Sequence, residues 1–168
     1  MPLSLYQASV PVYVRLLNAL TAILDKAAVH AKAGKYEPEA LLTAHLFPDM
    51  WPLAKQVQAV ASHARRGTAR LAGLPIPTVD ESGTSFDDLK GQIAETLAFL
   101  KSVDPAAVDA GEQREISFPI GTRQLTMTGT QYLQTFTLPN FYFHLTSAYN
   151  ILRKNGVPLT KMDFLGGM

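Results

Sequence analysis

The stretch PNFYFHLTSAYNILRKNGVPLTKMDFLGGM, residues 139–168, decides the fold. Over residues 140–154 apolar side chains recur at helical spacing around a single histidine, His144, and Asn155-Gly156 forms a helix stop. We therefore predict a long core helix followed by a compact tail. Bundles build their metal and ligand sites from core positions on facing helices, so His144 is the first residue to consider for a site.

Upstream of this stretch, the first long helix is predicted to begin at Ser9, a favoured N-cap residue, with Pro11 in its first turn. A short preceding turn over residues 3–6 is left open. It is predicted to end at Gly34, and its apolar residues recur at three- and four-residue steps. A short helical segment follows. Pro48 and Pro52 then forbid a continuous regular helix, so we expect a bend there.

Two further long helices lie between this bend and the middle of the chain. The second spans about residues 52–72 and is stopped by Gly73. Residues 74–84 are rich in Pro, Gly, Ser and Asp and are predicted to form a loop. The third helix starts at Ser85, where Asp88 three residues later gives a start that resembles a capping box.

In the segments REISFPIG and TRQLTMTG the apolar residues alternate with polar ones on either side of Gly121-Thr122. This period of two residues is typical of strands and replaces the helical spacing. They predict a two-stranded hairpin. Thr130 is expected to cap a short helical turn that Pro139 interrupts before the fourth long helix. The sequence thus predicts an all-α, up-down four-helix bundle, with a small β-hairpin between the third and fourth helices.

Length and composition limit the classes of function. A chain of 168 residues suits one domain over 1–168. Its 15 Lys and Arg against 14 Asp and Glu leave a charge of +1, which gives no basis for binding nucleic acid or an anionic membrane. No cysteine is present, so disulfides and thiolate metal sites are excluded. The N-terminal segment is apolar but lacks a basic start and reads as a core helix, so we expect a cytoplasmic location.

The histidines are the residues that could hold a metal. There are four, and no two stand three or four residues apart, so a site must be assembled across helices. His63 and His144 form the best pair, because each lies near mid-helix on or beside a core stripe. The alternative is that each is a core-edge or surface residue with local hydrogen bonds. Residues that could complete a ligand set are His30, Asp49 and Asp88.

Two other features have simpler explanations than a site. Phe141, Tyr142, Phe143 and Tyr149 crowd the fourth helix, where large aromatic residues usually form core or dimer contacts. The basic run over residues 63–70 is predicted to be a solvated helix face, in preference to an anion site.

Several motifs together resemble a bacterial family of unknown function that is grouped with the DinB-like metalloenzymes. They are PNFYFH (139–144), AYNILRKNGVPL (148–159), KMDFLG (161–166), PDMWPLAKQVQ (48–58) and RLAG (70–73). The resemblance implies a DinB-like four-helix bundle that is often a homodimer. In better-known branches, one histidine of the second helix and two of the last helix, four residues apart, bind a divalent metal such as Zn or Ni. Some of those relatives are thiol-dependent transferases or isomerases.

The family pattern transfers only in part to this chain. His144 matches a ligand position on the last helix, and His63 is the counterpart of the ligand on the second helix. Ala148 stands four residues after His144, and Asn140 stands four before it. The three-ligand open site that is usual for a catalytic divalent metal is therefore short of one ligand.

Two functional hypotheses follow. In the first, the protein is a noncatalytic DinB-like bundle without a complete three-histidine site that binds a small molecule, with Asn140, Tyr149 and Arg153 as pocket residues. In the second, it is a divalent-metal-dependent enzyme, a thiol-dependent transferase or hydrolase-like protein, with Zn or Ni on His63 and His144. The expected partners are a second copy of the chain and a small molecule, with neither nucleic acid nor membrane.

Overall fold

A computed structural model describes residues 3–167, so residues 1, 2 and 168 of the predicted domain lie outside the described residues. In chain order the elements are α1 (Leu5–Gly34), α2 (Glu39–Leu42), α3 (Leu53–Ala72), α4 (Phe86–Ser102), α5 (Pro105–Asp109), β1 (Glu115–Ile120), β2 (Arg123–Thr128), α6 (Gly129–Gln131), a π-helical turn (Tyr132–Thr137), α7 (Leu138–Lys154) and α8 (Lys161–Leu165).

The four long helices α1, α3, α4 and α7 form the bundle. Helix α3 packs most extensively along α7 and also against α4, while α1 packs against α4 and the C-terminal α8. Apolar side chains from all four helices join one continuous buried core, in which Leu20, Val60, Ile93 and Ile151 are almost fully shielded from solvent. The predicted all-α four-helix bundle with a hairpin between its third and fourth helices is confirmed.

The start predicted for α1 at Ser9 is wrong. The N-cap is Ser4, whose side chain accepts a hydrogen bond from the Gln7 backbone while the Gln7 side chain accepts one from the Ser4 backbone. This reciprocal box satisfies two of the backbone N–H groups that a helix start leaves open. Ser9 is buried inside the helix and its hydroxyl donates to the Leu5 carbonyl at 2.6 Å. Pro11 therefore lies within the helix and not in its first turn.

The predicted helix ends are close to those observed. Gly34 is the last helical residue of α1, and Lys35 takes the left-handed conformation, with φ of 54°. A Cβ at Gly34 would collide with the Tyr36 ring, so the packing of this ring favours glycine at the last helical position. Gly73 ends α3 with φ of 69°, as predicted.

The predicted start of the third helix and the predicted hairpin are confirmed. A capping box beginning at Ser85 starts α4. Strands β1 and β2 pair antiparallel with Phe118 opposite Leu125, and Gly121-Thr122 forms the two-residue turn. Gly121 has φ of 55°, which glycine adopts at little cost at the first position of such turns.

The segment before α7 differs from the prediction. Thr128, and not Thr130, caps α6, and its partner in the capping box is Gln131. The chain then remains helical through the π-helical turn into α7, where Pro139 lies in the first turn. Immediately before it the Leu138 N–H bonds to the Leu133 carbonyl five residues back, so the regular four-residue ladder is already interrupted where proline lacks its N–H. Pro139 therefore does not interrupt the helical path.

Two predictions, the absence of membrane binding and a homodimer, concern what surrounds the molecule. None of the helices within residues 3–167 combines the length and the apolar character that a membrane span requires. The homodimer implied by the family resemblance stays a prediction.

Candidate functional site

The packing of α3 against α7 brings His63 and His144 together. Their imidazole rings are stacked, with 5.4 Å between the centroids and 15° between the planes. His144 is buried, with 8% of its surface exposed, and His63 is partly buried. The two residues that the sequence pairs across helices are therefore direct neighbours.

Further aromatic rings surround this histidine pair. The Trp51 indole also stacks against His144, at 5.5 Å between centroids and 11° between planes. Phe136, from the π-helical turn, meets His63 edge-on at 5.9 Å, and Phe143 meets His144 edge-on at 5.2 Å. The pair thus lies in a largely aromatic environment that limits its contact with water.

Gln56 fixes the orientation of His144. Its Nε2 donates to the Trp51 carbonyl at 3.1 Å, and its Oε1 lies 2.8 Å from His144 Nδ1. A carbonyl can only accept, so the Gln56 amide nitrogen faces Trp51 and its oxygen must accept from His144. The proton of neutral His144 is therefore on Nδ1, which leaves a lone pair on Nε2.

Both histidines are less basic than free histidine. The pKa of His63 is lowered to about 4, chiefly by burial and in addition by the nearby His144, Arg66 and Arg70. Burial also lowers the pKa of His144. Desolvation disfavours the charged imidazolium, so both rings are neutral at pH 7.

A cavity of about 410 Å³ opens beside His63. It runs along the outward side of α3, between the loop that follows this helix and the first strand of the hairpin. Its walls combine aromatic and basic side chains, chiefly those of Trp51, His63, Arg66, Arg70, Phe118 and Phe136.

Arg70 is held in place on the cavity wall. Its guanidinium carbon lies 5.2 Å from the Phe118 ring centre and 5.7 Å from the Tyr132 ring centre. Its Nη1 donates to the Tyr132 hydroxyl at 2.9 Å. Cation–π contacts and this hydrogen bond together restrict the rotamers of a side chain that is otherwise flexible.

The prediction that the basic run is a solvated face is wrong for part of the run. Arg65 is only 3% exposed, and its guanidinium donates to Thr96 at 3.3 Å and forms an ion pair with Glu81 at 2.9 Å. Helix α3 packs on both α4 and α7, so less of its surface is free than a single apolar stripe suggests. Arg66 is the residue of the run that remains exposed beside the cavity.

The loop over residues 74–84 forms one wall of the cavity and is held by buried side chains. Gln58 donates to the carbonyls of Glu81 and Gly83, at 2.9 and 3.3 Å. Gln92 on α4 donates to the same Gly83 carbonyl at 3.0 Å. With the ion pair made by Glu81, these bonds fix the wall in position, although the loop has no regular secondary structure.

The described residues do not fit a three-ligand metal site. Within residues 3–167 no group of three or more His, Cys, Asp or Glu side chains is placed to hold a metal ion. Ala148, at the position of the expected second histidine of the last helix, is fully buried and has no donor atom. Asn140, four residues before His144, donates to the Phe136 carbonyl at 2.7 Å. Two imidazoles are fewer than the three protein ligands of a usual catalytic site.

Two of the three residues expected to complete a ligand set make other contacts, and the third is exposed. The Asp88 carboxylate accepts hydrogen bonds from the backbone and hydroxyl of Ser85 at the start of α4. His30 packs edge-on against Tyr36, with 5.9 Å between ring centroids. Asp49 is exposed in the segment between α2 and α3. In the part of the chain that the structure describes, none of them joins the histidine pair in a group of ligands.

The predicted pocket residues Asn140, Tyr149 and Arg153 make local contacts. The Asn140 side chain bonds the preceding turn, as described above. Tyr149 packs edge-on against Phe164 of α8, with 5.8 Å between ring centroids. Arg153 donates to a carbonyl in the turn after α7 at 3.0 Å. None of the three lines the cavity beside His63, and a ligand-binding role for them stays a prediction.

Sequence reasoning missed Gln56 and Trp51 as partners of His144. One signal was present, because Gln56 precedes His63 by seven residues and so lies on the same face of α3. The contact of Trp51 had no such signal, since this residue lies in the irregular segment before α3.

Comparisons with known proteins agree with this architecture. The family described as domain of unknown function (DUF1993) matches residues 5–165. A crystal structure of a DinB family member protein from Shewanella denitrificans matches with a TM-score of 0.90 and 36% sequence identity, over 98% of this chain and 93% of that chain. No curated protein matches.

Proposed function

This chain belongs to the DUF1993 family and has a DinB-like fold, and we propose that it binds a small organic molecule in the cavity beside His63. The observation that carries the proposal is the cavity itself, which combines aromatic walls with a few fixed polar groups. Its volume of about 410 Å³ is within the range of small-molecule sites, roughly 300–1,000 Å³.

The individual groups suit binding without large rearrangement. Phe118 is held by ring contacts to Tyr132 and Phe136, at 5.0 and 4.6 Å between centroids. The wall from the loop is tied to α3 and α4 by buried hydrogen bonds. Neutral His63 can exchange hydrogen bonds with a ligand without the cost of burying a charge. Groups that are already ordered lose little entropy when a ligand binds.

The proposal is tested with a library of small metabolites screened by thermal shift, with hits confirmed by the fluorescence of Trp51. Trp51 is the only tryptophan and lines the cavity, so its emission reports on this site. Ala59→Phe fills the cavity from its α3 wall and should abolish the response. Ala94→Phe, the same change at an exposed position of α4, is the matched control. Hits that bind the Ala59→Phe variant as well as the parent protein would rule out this cavity as their site.

A divalent-metal enzyme is the second candidate, in which His63 and His144 are ligands of Zn or Ni in a thiol-dependent transferase or hydrolase-like protein. One observation favours it. His144 donates its Nδ1 proton to Gln56, and metal-bound histidines commonly donate their other ring N–H in this way. The lack of a third ligand among the described residues counts against it.

Metal analysis separates the two candidates. Protein prepared without a histidine tag should carry one equivalent of metal if the second candidate is correct. That metal should be lost in both His63→Ala and His144→Ala. A metal-free preparation that gains no thermal stability on titration with Zn or Ni would eliminate this candidate and leave the first one unaffected.

A further inference from the structure

We propose that the ligand of the cavity beside His63 is an organic anion, a carboxylate or phosphate group on an aromatic or apolar body. This inference rests on the proposed function and names the chemical class of its ligand. Three features carry it: a fixed arginine without a counter-ion, an excess of positive charge around the opening, and aromatic walls.

Arg70 is the central feature. It is half-buried, and its guanidinium is held by Phe118 and Tyr132. Among residues 3–167 no Asp or Glu forms a salt bridge with it, although charged groups withdrawn from water normally have an ionic partner. The bond to Tyr132 uses one of its five N–H donors, which leaves the others for a carboxylate or phosphate.

The other charges around the cavity have the same sign. Lys55 and Arg66 lie on its wall, are exposed, and make no salt bridge with any described carboxylate. The one acidic residue on the wall is Glu81, and its carboxylate is paired with Arg65 at 2.9 Å. The cavity therefore presents three cations whose charge the described chain does not neutralise, and an anionic ligand would supply the missing counter-charge.

His63 lies on the same cavity wall as Arg66 and Arg70, so their positive charges act on it. Burial is the largest cause of its lowered pKa, but Arg66 and Arg70 lower it as well. Both guanidinium groups therefore act on the point where a ligand would contact the imidazole.

The aromatic side chains of the cavity determine which uncharged group of the ligand would fit. Trp51, Phe118 and Phe136 present aromatic surface, and Phe118 is almost fully buried while Trp51 is about half exposed. Such walls favour an aromatic or other apolar group, and the cations near them favour a negatively charged end. The same arrangement would exclude amines, because a second cation would face Arg66 and Arg70 without compensation.

The test uses four probes that share one aromatic ring and differ in the head group. They are phenylacetate, benzylphosphonate, phenylacetamide and 2-phenylethylamine, titrated into the full-length protein and followed by Trp51 fluorescence. We expect at least one of the two anions to bind about tenfold or more tightly than the amide, a difference of about 1.4 kcal/mol, with the amine weakest. The preference between phenylacetate and benzylphosphonate distinguishes a carboxylate ligand from a phosphate ligand.

Variants test whether the preference for an anionic head group arises in this cavity. Arg70→Gln and Arg66→Gln should each weaken binding of the anion by about tenfold and leave binding of the amide unchanged. Arg66 is exposed, so its variant should fold even if the contacts of Arg70 with Tyr132 prove necessary for stability. Lys101→Gln removes an equivalent charge at an exposed site of α4 and should have no effect.

Two results would overturn the inference, and they differ in what they leave standing. Equal affinity for all four head groups would refute an anionic ligand while the small-molecule site remained. Failure of every probe to change either the Trp51 emission or the thermal stability would refute the inference and count against the proposed function as well.

Discussion

His63 and His144 stack at 5.4 Å between ring centroids although they come from different long helices and lie 81 positions apart in the chain. At this separation two imidazolium ions would repel each other in a site that is also shielded from water. The pair is stable because both rings are neutral, and the hydrogen bond from His144 to Gln56 satisfies the one buried N–H of that ring.

The first prediction concerns stability at acidic pH. The pKa of His63 is about 4 in the folded protein and about 6.5 when unfolded, so between these values the unfolded chain binds the extra proton. Stability should therefore fall as the pH drops from about 6.5 to about 4, by up to about 3 kcal/mol from this group. Urea unfolding at several pH values measures it, and NMR of the imidazole should show His63 titrating near pH 4.

Two variants control the pH prediction. His63→Gln removes one titrating group and should make the fall in stability between pH 6.5 and 4 less steep, while His144, whose pKa is also lowered, keeps its own contribution. Arg66→Gln removes a nearby positive charge and should raise the pKa of His63. A His63→Gln variant with the same pH profile as the parent protein would show that other groups account for any loss of stability in acid.

The second prediction concerns the close approach of α3 to the π-helical turn. A Cβ at Gly67 would lie 2.5 Å from Thr137 Oγ1, and Thr137 is fully buried and donates to the His63 carbonyl at 3.1 Å. Gly67→Ala should therefore destabilise the protein by about 1–3 kcal/mol, although alanine is the better helix former. Chemical denaturation measures the change.

Gly91→Ala is the matched control for Gly67→Ala. Gly91 is also helical, is exposed, and has no atom within 4 Å of the position of an added Cβ. The alanine there should stabilise the protein by about 0.5–1 kcal/mol. Thr137→Ala should restore part of the stability lost in Gly67→Ala, because it removes the hydroxyl that the new methyl group meets. Two glycine variants with the same effect would contradict the proposed clash.

Regular patterns made most of the fold predictable. The capping box at Ser85, the glycine stop at Gly73 and the alternating strands around Gly121 each depend on residues close together in sequence, and each prediction is confirmed. The errors arose where local signals competed. Ser4 and Ser9 are both acceptable N-caps, and only Ser4 has a Gln three residues later to complete the box.

The site was less predictable than the fold because it depends on contacts across elements. The choice of His63 and His144 followed from core stripes on neighbouring helices, and the structure brings the two rings together. The cavity also requires Phe118 of the hairpin and Glu81 of a loop. No period in the sequence relates those two residues to α3, so their position depends on tertiary packing alone.

The third prediction concerns Gln56, which links Trp51 to His144. Gln56→Ala removes both hydrogen bonds and leaves the buried Nδ1 proton of His144 without an acceptor. We expect a loss of about 1–3 kcal/mol in stability and a red shift of the Trp51 emission as the indole leaves the stack. Gln124→Ala, at an exposed position of the hairpin, should change neither quantity. Unchanged Trp51 emission in Gln56→Ala would mean that stacking alone holds the indole.

The fourth prediction concerns the loop that walls the cavity. Glu81→Gln removes the charge that pairs with Arg65, whose side chain is only 4% exposed. Breaking a fully buried pair costs about 3–5 kcal/mol, and because 36% of the Glu81 side chain is exposed we expect less, about 1–3 kcal/mol. Asp25→Asn is the control: it breaks an ion pair of the same length at the surface, and Lys90 keeps its second partner Asp87. If Glu81→Gln proved as harmless as Asp25→Asn, the Gln58 and Gln92 bonds would have to hold the loop without help from the ion pair.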